Sequence, residues 1–152
     1  MLSDRLIRVI EQHADELTGA LVKDLQSNPR TAAYHRLTRE AIQHRTYHVY
    51  KELGAWLHSK AEPDIEANFT QLGAQREAEG IPLSEVVCAL TLTKYHLRDY
   101  IRASGLVDSA VDLYQALELQ RLLGQFFDKA IYYTVRAYER SAHLEATAGA
   151  AQ

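Results

Sequence analysis

Two histidines four residues apart, His44 and His48, are the side chains best suited by type and spacing to hold a metal ion. Residues four apart share one face of a helix, so both imidazoles could reach the same ion. They would supply only half of a tetrahedral site. Zinc proteases place a glutamate directly after the first histidine, and this chain has Arg45 there. We therefore expect a solvated or capping role for both histidines, and no metal site.

A third histidine, His96, lies among apolar residues of a predicted helix. A histidine on such a face can be an axial ligand of haem, so a haem- or small-ligand-binding, globin-like sensor is the alternative function. A phosphotransfer role would use Lys94 and Asp99 beside it, but neither the phosphotransfer motif nor the phosphoacceptor motif of histidine kinases is present. We expect a satisfied histidine at the edge of the core, and no cofactor.

The residue types needed for nucleophilic or phosphate chemistry form no recognisable constellation. The seven glycines are scattered, so the sequence has no glycine-rich phosphate loop, and it has no G-x-S-x-G motif. Cys88 stands between Val87 and Ala89, a setting that predicts an inert buried thiol. The sequence therefore predicts no catalytic residues and a protein that is not an enzyme.

Composition excludes several classes of partner. The chain has 152 residues, 47% hydrophobic and 24% charged, as one globular domain would. Its net charge of -3 argues against a nucleic-acid binder that relies on bulk positive charge. No apolar run approaches the roughly 20 residues that span a bilayer, and the first residues are unlike a signal peptide. We expect a cytoplasmic protein with no nucleic-acid or membrane partner.

Proline and glycine divide the chain into five predicted helices, and no segment alternates as a strand would. The helices run from about 3 to 26, 33 to 59, 63 to 79, 82 to 103 and 109 to 143. The pattern predicts an all-α, single-domain bundle, globin-like or up-down, with a long C-terminal helix. Residues 1–143 would form one helical domain, and residues 144–152 a flexible tail or the start of a linker. Trp56 is predicted to be buried on the second helix.

The last predicted helix is apolar on two sides, and Gly124 is a candidate bend within it. One stripe consists of Val111, Leu119, Leu122, Phe126, Tyr133 and Ala137. The other consists of Leu113, Leu117, Phe127, Ile131, Val135 and Tyr138. A helix that is apolar around most of its circumference must be covered there. We expect the second stripe to form the contact of a homodimer, and the alternative is a central helix enclosed by its own bundle.

Charge is segregated between the second and third predicted helices. Basic residues dominate positions 30–60, and acidic residues dominate positions 61–80. Opposite charges on neighbouring helices favour pairing within the chain or across a dimer. Two separately solvated faces are the alternative.

The segment from Arg76 to Leu83 predicts a rigid elbow between two helices. Gly80 suits the position just after a helix end, and Pro82 fixes φ where the next helix begins. Ile81 would fill the corner, and Leu83 would return the chain to the core. Arg76 is expected to donate to carbonyls at the end of its own helix.

This signature resembles the N-terminal domain of the RsbT co-antagonist, RsbR-like regulators. The shared features are Arg76, the run Glu79-Gly80-Ile81-Pro82-Leu83 and the Val/Leu-rich helix that follows. The resemblance covers residues 6 to 138, including an arginine-rich second helix.

The resemblance implies a globin-like sensory domain that dimerises, binds no haem and signals through its last helix. In that family the domain precedes a STAS domain, a histidine kinase or a transcription-regulator module. This chain contains no such module, so we expect an excised N-terminal domain or a stand-alone homologue. The expected function is non-catalytic sensing and regulation in bacterial stress-response or two-component signalling. Its partners would be a second copy of the chain and a signalling protein or fused output domain.

Overall fold

The computed structural model describes residues 2–105 and 108–150, and the regular structure in these residues is entirely helical. The α-helices are α1 (Leu2–Gln12), α2 (Ala14–Ser27), α3 (Arg39–Lys51), α4 (Glu62–Ala78), α5 (Leu83–Ala103) and α6 (Ala110–Ala150). A 3-10 segment spans Pro29–Arg36, and a π-helical turn spans Ala55–Ser59. The all-α class is confirmed. None of these helices is long and apolar enough to cross a membrane.

The structure divides the first two predicted helices into shorter segments. At His13 the backbone leaves helical geometry, with φ -107° and ψ 21°, and this residue separates α1 from α2. A separate 3-10 segment precedes α3, because Thr38 caps α3 by accepting a hydrogen bond from the Ala41 N–H at 3.1 Å. Apolar spacing continues in phase across the break at His13, which is why it predicted one helix there.

An aromatic cluster lies at the centre of the core. The rings of Trp56, Phe69 and Phe126 contact one another with centroids 5.6 to 5.9 Å apart, and Phe127 contacts Phe126 at 5.1 Å. Trp56 is 5% exposed, so its predicted burial is confirmed, although it lies in the π-helical turn. The cluster joins this turn to α4 and α6.

Helices α4 and α6 form the tightest helix pair. A Cβ at Gly73 would lie 2.2 Å from the Thr134 carbonyl oxygen. The α4 backbone therefore approaches α6 more closely than a residue with a side chain at position 73 would allow. At the edge of the same interface, Arg136 of α6 donates to Glu66 of α4 at 2.8 Å. The position of α6 is therefore set mainly by α4.

The elbow between α4 and α5 has the predicted form. The Gly80 N–H donates to the Glu77 carbonyl at 2.9 Å, and the Ile81 N–H donates to the Arg76 carbonyl at 3.1 Å. This pair of bonds is the Schellman arrangement, which requires a left-handed residue at Gly80, and φ there is +73°. Ile81 is 2% exposed and fills the corner.

Replacing Gly80 with valine is expected to destabilise the protein by about 1–2 kcal/mol, the cost of a side chain in the left-handed region. A Cβ at Gly80 would meet nothing within 4 Å, so the expected effect comes from backbone strain and not from crowding at the Cβ. Gly80→Asn is the matched control, because asparagine tolerates this conformation better. Urea denaturation measures both variants, and equal losses for valine and asparagine would contradict the assignment.

Helix α6 is continuous from Ala110 to Ala150, so it passes through Gly124 without interruption. Its last buried residue is Ala137. The predicted tail is therefore helical and exposed over residues 144–150, and residues 151 and 152 lie outside the described part of the chain.

Candidate functional site

A cleft of about 690 Å³ opens between α3 and α4, with the first turn of α2 on one side. Its lining includes His44, Arg45 and His48 from α3, and Asn68, Gln75 and Arg76 from α4. The structure thus brings together three residues that the sequence singled out separately: both histidines and the arginine of the elbow. The volume lies within the usual range for small-molecule sites.

Two arginines share one carboxylate at the elbow end of this cleft. Arg45 Nη1 lies 2.7 Å from one oxygen of Glu79, and Arg76 Nη1 lies 3.2 Å from the other. The expected partner of Arg76 was a backbone carbonyl, and its observed acceptor is the Glu79 carboxylate instead. Glu79 lies one helical turn from Arg76, and its carboxylate is a stronger acceptor for a guanidinium than a neutral carbonyl.

Arg76 is a buried cation, 6% exposed, so it lacks most of the solvation of a surface arginine. Burial lowers the pKa of its guanidinium, and the positive charge of Arg45 lowers it further, while Tyr34 and Glu79 oppose this shift. Arginine remains protonated in proteins at neutral pH. The site therefore holds two positive charges against the one carboxylate of Glu79.

The two histidines of the cleft differ in their surroundings. Burial lowers the pKa of His48, so this imidazole is neutral at pH 7 and can donate or accept a hydrogen bond. His44 is exposed. Nowhere in residues 2–105 and 108–150 do three His, Cys, Asp or Glu side chains group as a metal site would require.

His96 lies away from this cleft and joins two helices. Its Nε2 is 2.8 Å from a carboxylate oxygen of Asp24, so the contact ties α5 to α2. The side chain is 25% exposed, which matches a histidine at the edge of the core. The apolar cavity behind the cleft measures about 50 Å³, and its lining does not include His96.

The elbow connects the cleft to α6. Tyr138 of α6 donates its hydroxyl to the Ile81 carbonyl at 2.7 Å, so one residue of the predicted dimer stripe is bonded to the corner. Pro82 is exposed and precedes α5, while Leu83 is half-buried at its first position. Arg76 lines the cleft and also lies in the last turn of α4, where the elbow begins.

The second stripe of α6 does not form one surface. Leu113 and Leu117 are 52% and 59% exposed, whereas Ile131 and Val135 are half-buried. Phe127 is 1% exposed and packs in the aromatic cluster, so its assignment to a dimer contact is wrong. Several helices pack against α6, so the buried side of α6 is wide enough to include Phe127.

Among the described residues, four of the six large apolar residues of α6 that are exposed lie in its first two turns, and the other two, Tyr132 and Leu144, lie farther along the helix. Val111, a member of the first apolar stripe, is 66% exposed, and Tyr114 is 71% exposed. Together with Leu113 and Leu117 they form an apolar patch, which we call the α6 patch. Contiguous apolar exposure of this kind marks interaction surfaces.

Sequence reasoning missed Tyr34 and Glu79 as members of the site. The pKa of Tyr34 is raised by burial, and Arg76 beside its hydroxyl opposes that effect. The segregation of charge between the second and third predicted helices was the signal that could have found Glu79. It predicted pairing between basic and acidic helices, and the Arg45–Glu79 ion pair is one such contact. Cys88, expected to be inert, is half-buried, and burial raises the pKa of its thiol.

Comparisons with family models, curated proteins and solved structures find no match to this chain.

Proposed function

We propose that this chain is a non-catalytic sensory and regulatory domain that acts as a homodimer. In this proposal, occupancy of the cleft is sensed through the elbow and passed to a signalling partner by α6. Bacterial stress-response or two-component signalling is the setting favoured by the resemblance at Arg76–Leu83. The arrangement of arginines, amides and a neutral histidine suits binding, since it provides donors without a paired nucleophile and base.

The observation that carries the proposal is the bond between the Tyr138 hydroxyl and the Ile81 carbonyl. The Ile81 N–H bonds to the Arg76 carbonyl, and the Ile81 carbonyl accepts from Tyr138. A shift of Arg76 would therefore reach α6 through these two hydrogen bonds. Beyond Tyr138, the residues from Glu139 to Ala150 extend α6 by about 18 Å at 1.5 Å per residue. Most of them are exposed, so this segment can present a moving surface to a partner.

The α6 patch supports the dimer. Four large side chains lie within two helical turns, each more than half exposed. Burying a side chain of this size contributes about 1.5–3 kcal/mol, so a symmetric contact would gain from each residue twice. The dimer contact is therefore proposed for the N-terminal part of α6 rather than for the whole stripe.

Replacing Leu117 with glutamate is expected to convert the dimer into a folded monomer. A charge at the centre of an apolar contact is costly, while an exposed side chain can change without disturbing the protomer's core. Light scattering after size exclusion measures the mass, and far-UV circular dichroism verifies the helix content.

Leu144→Glu is the matched control, since Leu144 is a large residue, 67% exposed, that lies on α6 about 40 Å beyond Leu117 at 1.5 Å per residue. It should leave the mass unchanged. A native protein that is monomeric at high concentration, or a Leu117→Glu variant that stays dimeric with native helicity, would refute the proposed dimer.

A further inference from the structure

The elbow end of the cleft carries an excess of positive charge. Among the residues that the structure describes, Glu79 is the carboxylate that forms ion pairs with Arg45 and Arg76, one through each of its oxygens. Tyr34, the other polar group beside Arg76, is neutral because burial raises its pKa. One positive charge is therefore left without a counter-charge in this group.

The acids elsewhere in the cleft do not cancel this charge. Asp15 and Glu40 also line it, but both are exposed, so water screens their field. The side chains of Arg45 and Arg76 are 24% and 7% exposed. A charge interacts several-fold more strongly where water is partly excluded than in bulk water, so the field of the less exposed arginines is screened less than that of the exposed acids.

The rest of the lining suits recognition of oxygen atoms. Asn68 and Gln75 present amide donors from α4, and His48 presents a neutral imidazole from α3. Guanidinium groups bind carboxylate and phosphate oxygens in pairs of parallel hydrogen bonds. Glu79 already shows that a carboxylate can bridge the two arginines.

We propose that the cleft between α3 and α4 binds a small organic oxyanion, a carboxylate or a phosphate ester, through Arg45 and Arg76. This inference rests on the proposed function, because it names the ligand class that the domain senses. The bound oxyanion competes with Glu79 for the two guanidiniums. Glu79 is the C-cap residue of α4 and directly precedes Gly80, so its release bears on the elbow that Tyr138 connects to α6.

Titration with citrate and with inorganic phosphate tests the proposal, with sodium chloride at equal ionic strength as the reference. Trp56 is the natural reporter, because its ring packs against His48 with centroids 6.4 Å apart. We expect saturable changes in tryptophan fluorescence and a higher melting temperature with at least one of the two anions. A response to citrate alone identifies a carboxylate ligand, a response to phosphate alone identifies a phosphate-bearing ligand, and a response to both supports oxyanion binding by either group.

Arg45→Gln is the decisive variant, since it removes one guanidinium from a partly exposed position and leaves Arg76 paired. Losing a charged hydrogen-bond partner should weaken binding by about tenfold or more. Arg102→Gln is the matched control, because Arg102 is 81% exposed on α5 and pairs with Asp99 at 3.4 Å. It should bind as the native protein does.

Failure of this proposal can be told apart from failure of the proposed function. A dimer that binds neither citrate nor phosphate, or that binds them equally well after Arg45→Gln, overturns the ligand class alone. A monomer that still binds with the expected dependence on Arg45 supports the ligand class and overturns the dimeric function.

Discussion

Replacing Trp56 with alanine is expected to lower the free energy of unfolding by about 3–5 kcal/mol, the usual cost of truncating a buried aromatic side chain. The ring contacts Phe69 and Phe126 at centroid distances of 5.9 and 5.6 Å. The ammonium of Lys60 lies 4.6 Å from its centroid and adds a cation–π contact. Truncation would remove these contacts together and leave a cavity where the π-helical turn meets α4 and α6. Urea denaturation followed by circular dichroism measures the loss.

Trp56→Phe is the matched control and should cost much less than the alanine change. It keeps an aromatic ring in the cluster, and it removes a buried indole N–H that has no hydrogen-bond partner among the described residues. Tyr95→Ala, at an exposed aromatic position, should change stability by no more than about 0.5 kcal/mol. Equal effects of Trp56→Ala and Tyr95→Ala would contradict the central place of Trp56.

Replacing Gly73 with alanine is expected to destabilise the protein by about 1–3 kcal/mol, although alanine is the better helix former. The added Cβ would lie 2.2 Å from the Thr134 carbonyl oxygen and 3.0 Å from the Ala137 Cβ. Neither is the end of a flexible side chain, so α4 and α6 would have to move apart. Such a movement would loosen the helix pair that holds the aromatic cluster. Thermal and urea denaturation measure the loss.

Gly124→Ala is the matched control with the opposite expected sign. Gly124 lies inside α6, and a Cβ there would meet nothing within 4 Å. Alanine should therefore stabilise the helix by about 0.5–1 kcal/mol. If Gly73→Ala also stabilised the protein, the close approach of α4 and α6 would be refuted.

Helix ends marked by proline and glycine could be predicted closely. The pattern predicted α5 from about residue 82 to 103, and the helix spans Leu83–Ala103. The elbow at Gly80 was equally accessible, because a left-handed corner leaves a local chemical signature. The break at His13 was not accessible, since the apolar spacing on both sides of it continues in phase.

Burial on α6 shows the limit of periodicity. The spacing of apolar residues identified a helix with two apolar sides, but it placed Phe127 in the stripe expected to form the dimer contact and Val111 in the other stripe. Phe127 is buried and Val111 is 66% exposed. Which sides of a helix are covered depends on where its neighbours end, and a single helix's pattern does not contain that information.

The sequence by itself determined the helical class, the elbow and the burial of Trp56, because proline, glycine and apolar spacing act over a few residues. Only the tertiary structure decided that Arg45, 34 residues from Glu79, shares that carboxylate with Arg76. It also placed His44 and His48 in the same cleft as Arg76. Such contacts depend on how α3 and α4 pack, and packing is set by the whole core rather than by the charged residues themselves.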